Sequence, residues 1–282
     1  MAGAMALYRA GINRALGDGA WEAFKSLNVT DADFKDWINS RKLGGLRRGQ
    51  SFLDEITGNR YRIVRALGTI TGEGYLLKQH MNAAGRVGNL TAVSTKAVVQ
   101  TDDTLVNHDL AGGLLFLNAG TGVGELRPIE DNDDTTSLST ITVARNRRTY
   151  PGETVSDSPD NFTALPDATT DYNAFVPWEV VETSGVTDEV VAWALGAVTS
   201  GNWTIVLERG YGLFRAVGST DALTAGGPIV PSATAGIGKG FTTAGELAAE
   251  SRLAFGQSIA AYSGASAVWF GKLHGKFIIG DN

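Results

Sequence analysis

The sequence predicts a mainly β protein: a Gly-rich β-sandwich or barrel-like body in one or two domains, with a short α-helical N-terminal region. Three observations carry this expectation. Glycine is abundant, 36 of 282 residues, while proline is scarce at 7. Average usage is about 7% Gly and about 5% Pro, so these glycines punctuate structure rather than mark a disordered linker. From Tyr61 onward, short runs of Val, Ile, Leu, Thr and aromatic residues recur between turns rich in Gly, Asp and Asn, the pattern of short strands. Before Tyr61 the apolar residues fall at helical spacing instead.

Residues 1–57 are expected to form a helical N-terminal arm. Trp21, Phe24 and Leu27 make a rough apolar face, and Phe34, Trp37 and Ile38 make a second. Thr30 with Asp33 has N-cap character, acidic residues in the first turn suit the helix dipole, and Gly44-Gly45 stops the helix. So few apolar residues cannot form a domain, so these helices must dock on the β body or on another chain. Residues 58–150 are expected to be a β domain, with strands over 61–67, 75–78, 97–100, 125–130 and 138–144 and a core strand, Leu114 to Ala119, between glycines. Residues 151–174, rich in Pro, Asp, Ser and Thr, read as a loop or linker. Residues 175–282 are expected to be a β domain with one short helix. Its strands fall over 174–181, 189–195, 203–207, 211–217 and 267–273, with an edge strand over 226–231 because of its two prolines. The helix falls within 245–261, where Glu246 to Phe255 are good helix formers.

Composition bounds function. The net charge is −6, which gains nothing from counterion release and argues against nucleic acid as a partner. Cysteine is absent, so disulfide frameworks and thiolate metal sites are excluded. Charged residues are 19%, below the usual share of about 25%, a hint that some surface is covered by partners. Residues 1–16 carry Arg9 and Arg14 within their apolar run and do not read as a signal peptide; no window is apolar enough for a membrane span. The Asn-x-Thr sites at Asn28, Asn89, Asn161 and Asn202 read as chance in a Thr-rich β protein.

No motif assembles a catalytic centre. His80, His108 and His274 lack metal-ligand spacing, and His108-Asp109 reads as a polar turn. Gly256-Gln257-Ser258-Ile259-Ala260 falls one glycine short of a nucleophile elbow. Gly236-Ile237-Gly238-Lys239-Gly240 lacks the hydroxyl that a phosphate loop places after its lysine, and Gly120-Thr121-Gly122-Val123-Gly124 reads as a glycine-rich hairpin. Asp131-Asn132-Asp133-Asp134 reads as a solvated turn, with an assembly-stabilising cation as the alternative. Arg41, Lys42, Arg47 and Arg48 read as a solvated helix end, with a docking arm onto an acidic partner surface or a nucleic-acid contact as the alternatives. Catalytic, cofactor-binding and metal residues are therefore expected to be none, and an enzyme is not expected.

The run from Asp109 through Gly120-Thr121-Gly122-Val123-Gly124 to Ile129 resembles segments of tailed-phage structural proteins. So does the later order Gly201-Asn202-Trp203-Thr204-Ile205-Val206-Leu207-Glu208-Arg209-Gly210, Ala225-Gly226-Gly227, Thr234-Ala235-Gly236 and Phe255 to Ala261. Together they are similar to phage head-decoration (cement) and related virion proteins, over residues 105–273. The resemblance implies a capsid decoration protein that binds and stabilises the phage head through protein–protein contacts, made in the host cytoplasm and located in the virion. Its implied partners are the major capsid protein and itself, as a homo-oligomeric trimer or dimer, with no nucleic acid, membrane or cofactor. Alternatives are a tail, connector or head-fibre component, or a host-surface carbohydrate-binding module. Six Trp and seven Tyr are then candidate interface anchors beside their ordinary role in the core.

Overall fold

The computed structural model describes residues 2–16, 24, 26–34, 48–80, 87–91, 94–102, 105, 109–133, 138–143, 161–217, 223–240, 254–261 and 267–274. Helix α1 (Ala2–Leu16) leads into β1 (Ser51–Asp54), β2 (Asn59–Ala66) and β3 (Leu76–Gln79). Then follow β4 (Val87–Asn89), β5 (Val98–Gln100), β6 (Leu114–Ala119), β7 (Leu126–Asn132), β8 (Thr140–Val143) and β9 (Asp171–Phe175). The rest are β10 (Glu179–Glu182), β11 (Ala192–Ala194), β12 (Trp203–Ala216), β13 (Pro228–Pro231), β14 (Gly238–Lys239), β15 (Gly256–Ser258) and β16 (Ala267–Leu273). The protein is mainly β, with a short helical N-terminal region.

The chain forms two compact units. One joins Met1–His80 to Pro177–Asn282, and the other is Met81–Val176. The sequence reading set its β domains one after the other, over 58–150 and 175–282; the observed units are nested. The reason is long-range pairing: β10 lies between β2 and β3, and β12 pairs with β2, so strands from both halves complete one sheet. Local periodicity does not reveal such partners.

In the first unit the strands close on themselves twice. β2, β10, β3, β11 and β12 form one ring, because β12 returns to β2. Val64, Ala66, Leu77, Val180, Ala192, Ala194 and Val206 form a buried apolar cluster on these strands. A second ring runs β12, β14, β13, β15, β16 and back to β12. Buried Phe214, Ile229 and Leu273 belong to it. β12 is thus common to both rings. The sequence reading broke this segment into two strands at Arg209-Gly210. The structure keeps one strand, with a register shift between Leu207 and Arg209 that leaves Glu208 as the extra residue of a bulge. Glu208 is turned onto Arg62, which donates from Nε at 3.1 Å and Nη2 at 2.9 Å while its Nη1 donates to the Gly49 carbonyl at 2.8 Å. Both side chains are buried, and Ser51 adds a hydroxyl donor to Glu208.

The second ring needs glycine where strands meet aromatic rings. A Cβ on Gly271 would lie 2.8 Å from Phe214, 2.9 Å from the Gln257 carbonyl oxygen and 3.1 Å from Ile229. β13, expected at an edge, pairs with β14 on one side and β15 on the other. Its prolines stand at its two ends, where a missing N–H interrupts the ladder least.

The N-terminal segment is not wholly helical: residues 51–54 form β1, paired to β2. α1 docks on this unit through buried Tyr8 and Ile12. Tyr8 meets Tyr61 edge-on at 6.4 Å and its hydroxyl accepts the Leu213 N–H at 2.9 Å; burial pushes its phenol pKa up. Arg14 donates to both carboxylate oxygens of Asp54, at 2.8 and 2.6 Å. The expected Thr30 cap is present: its hydroxyl oxygen accepts the Asp33 N–H at 3.2 Å, its O–H reaches the Asp33 carboxylate at 2.6 Å, and residues 31–34 are helical. Phe34 stacks on Trp203 at 4.1 Å. Trp21, Trp37, Ile38 and Gly44-Gly45 lie outside the described residues, as do residues 246–253 of the expected C-terminal helix; residues 256–258 of that window form strand β15.

In the second unit the order is β4-β9-β6-β7-β8-β5, and the Leu90–Thr101 bridge joins the ends of β4 and β5. The sheet thereby curls towards closure, the barrel-like form. Leu115, Leu117, Tyr172, Ile129, Ile141, Val143 and Val99 are buried. β9 begins within the expected 151–174 linker, whose residues 151–160 lie outside the described set. β6 is not buried on both sides as its apolar run suggested; burial alternates along it.

Two outcomes test this architecture. Gly271→Ala overpacks the second ring and is expected to lower stability by about 1–3 kcal/mol in chemical denaturation; no loss would mean the ring tolerates a methyl there. The Asp54 carboxyl is held at about 2, below its ordinary 3.8, first by the Arg14 hydrogen bonds. A depressed carboxyl stabilises the fold above its unfolded pKa and loses that contribution as pH falls. The stability difference between wild type and Arg14→Ala, measured by denaturation across pH, is therefore present at neutral pH and shrinks between 3.8 and about 2.

Candidate functional site

Alternation along a strand puts directly paired residues on the same face of a sheet. In the second unit, Val87, Asn173, Phe116 and Leu126 form one row straight across β4, β9, β6 and β7. Phe175, Leu114 and Pro128 form the next. The opposite residues, Leu115, Leu117 and Tyr172, are fully buried, and Tyr172 accepts a hydrogen bond from Thr101 at 3.1 Å. The row itself is open: Val87 is 51% exposed, Phe116 39% and Leu126 50%. Among the described residues, the charged side chains on this outer face are acids, with Asp171 on β9 and Glu130 and Asp131 on β7.

The first unit carries a second open face. After the Glu208 bulge, β12 is covered on one side only, and its outward residues are Arg209, Tyr211, Leu213 and Arg215. Pairing with β16 sets Tyr211 beside Lys272 and Leu213 beside Phe270. β15 adds Gln257 beside Lys272, and exposed Ile259 bonds through its N–H to the Phe270 carbonyl at 3.2 Å. Tyr211 and Phe270 lie near-parallel at 6.2 Å and are 40% and 41% exposed. The Lys272 ammonium stands 5.5 Å over the Tyr211 ring and the Arg215 guanidinium 4.9 Å over Tyr75. Arg215 also donates to the Glu73 carbonyl oxygen at 3.3 Å. Burial pushes the Glu73 carboxyl pKa up, and the nearby Arg215 partly offsets this. On β12, β15 and β16 this face carries three cations, Arg209, Arg215 and Lys272, and no acid.

The residues singled out in the sequence do not converge. His80 is tied by its backbone to Glu179 and His274 to Phe255; His108 lies outside the described residues. Gly120, Gly122 and Gly124 all have positive φ and form the hairpin turn between β6 and β7. Gly238 and Lys239 are strand β14, and Ser258 in β15 is buried with its hydroxyl donated to the Ala260 carbonyl at 2.6 Å. In the acidic run, Asp131 and Asn132 end β7 and are not a free turn. The Asp133 carboxylate accepts the Thr140 N–H and O–H, each at 2.7 Å, and Asn132 accepts the Leu110 N–H at 2.7 Å. These oxygens tie strands together; Asp134 lies outside the described residues. Among the described residues no three His, Asp or Glu side chains are grouped to hold a metal ion. Arg41, Lys42 and Arg47 lie outside the described residues, and Arg48 is half-buried. Trp178, Trp193 and Trp203 are core residues, so the anchors on the open faces are Tyr211, Phe270 and Phe116 instead.

Sequence reasoning missed both faces. The available signal was apolar residues on both parities of one strand, as in Leu114-Leu115-Phe116-Leu117, which reads as burial on both sides. Comparison with protein-family models, curated proteins and solved structures finds no match. The open faces therefore carry the functional argument: exposed, contiguous apolar surface rimmed by charge is suited to contact with another macromolecule.

Substitution separates the open side of β6 from the closed side. Phe116→Lys is expected to change folding stability by no more than about 0.5 kcal/mol, as at ordinary surface sites. Leu115→Ala is expected to cost about 2–5 kcal/mol. Equal losses in denaturation would show that the Phe116 side is in fact packed.

Proposed function

We propose that this chain is a virion structural protein, a capsid decoration or cement protein that binds the major capsid protein of a phage head and stabilises the shell. The observation that carries the reading is the pair of open apolar sheet faces, one on each unit, one rimmed by acids and one by cations, suited to contact with further copies or with the shell. Closed rings supply rigidity, and rigid faces lose little conformational entropy on docking. The Gly-rich segments that resemble phage head-decoration proteins include β6, the β6–β7 hairpin and β12, the elements that build these faces. In this reading the protein acts as a homo-oligomer in the virion and its work is contact rather than chemistry.

The test is co-sedimentation of purified protein with undecorated shells. Saturable binding at a fixed ratio to the major capsid subunit is expected, with shells then surviving higher temperature. Absence of binding, with the protein recovered on tails, connectors or head fibres, would move it to another part of the virion.

A further inference from the structure

We infer that the acid-rimmed face of the second unit in one copy docks on the cation-rimmed aromatic face of the first unit in another copy. This deepens the reading above by naming the self-association surfaces, and it rests on that reading only for its biological setting.

The argument is complementarity. The face centred on Phe116 and Leu126 is apolar, and its charges among the described residues are Asp171, Glu130 and Asp131. The face centred on Tyr211 and Phe270 is apolar and aromatic, and the charges that β12, β15 and β16 place on it are Arg209, Arg215 and Lys272, with the Glu73 carboxyl near Arg215 at its margin. Each face set against its own copy would oppose like charges, which is unfavourable at an interface. Set against one another, apolar centre meets apolar centre and carboxylates meet cations. Both anchor pairs are exposed in the folded chain, at 39% and 50% on one face and 40% and 41% on the other. One chain thus carries both halves of a contact. Such a contact is heterologous: repeated head to tail it closes a ring when the rotation permits, and made reciprocally it closes a dimer.

The experiment is complementation, read by sedimentation velocity on full-length chains. Wild type is expected to sediment as an oligomer. Phe116→Lys spoils one face and Phe270→Glu the other, so each variant is expected at the single-chain mass. Mixed in equal amounts, they retain one intact pair of faces between them and are expected to form a heterodimer and nothing larger. Circular dichroism checks that each variant is folded; if one is not, Glu130→Lys or Lys272→Glu replaces it on the same face. The inference is overturned by a wild-type monomer, by variants that keep the wild-type mass, or by a mixture that stays monomeric. Failure here and failure of the decoration reading are distinguishable. A wild-type monomer that still saturates shells assigns the faces to the shell subunit, and an oligomer that ignores shells leaves the self-contact standing without a capsid role.

Discussion

One strand serves two closed rings, and that constraint organises the first unit. β12 is hydrogen-bonded to β2 and β11 along its first part and to β16 and β14 along its second. Its first six residues are buried, and from Arg209 burial alternates. A strand that changes neighbours midway must change twist, and the bulge at Glu208 supplies the change. Gly210 follows at φ 114°, and the side-chain amide of Asn59 brackets the next residue, accepting the Tyr211 N–H at 2.8 Å and donating to its carbonyl at 3.1 Å.

The bulge also explains a buried charge. Glu208 lies among apolar strands, where an isolated carboxylate is strongly disfavoured. Arg62 meets it with two donors and is itself held by the Gly49 carbonyl. A pair of this kind adds little net stability, since both ions are desolvated, yet losing one partner is expensive. Its effect is specification: a register slip between β2 and β12 would strand the carboxylate. The same slip would carry Tyr61 and Leu207 to the wrong side of the sheet.

Most of the local structure was legible in the sequence. β2, β3, β5, β7 and β8 fall where alternating or β-branched runs placed them, and Thr30 caps its turn as its side-chain chemistry requires. What was not legible is partner choice. Arg209-Gly210 reads as a break because glycine usually ends a strand, and only the tertiary pairing to β16 shows that the strand continues. Pro228 and Pro231 read as edge markers because a proline lacks a donor, but at strand ends that lack costs little. The open faces were hidden for a related reason. Phe116 between two leucines looks like core, and which side of β6 faces water is decided by a strand far along the chain rather than by its neighbours, as its pairing with Asn173 shows.

The nested arrangement has a consequence for how the chain tolerates change. The first unit is left at His80 and re-entered at Pro177, and these two points are already stitched together. Gln79 donates to the Pro177 carbonyl at 2.7 Å, the His80 N–H reaches Glu179 and Val180 pairs with Gln79. The gap to be bridged is about the spacing of adjacent strands, roughly 4.8 Å. To the double ring, everything between β3 and β10 is equivalent to an elaborated hairpin loop. This seam is therefore a natural grafting point, at which lineages could exchange one appended body for another, or an engineer could mount a foreign one, without rewriting the register of the frame.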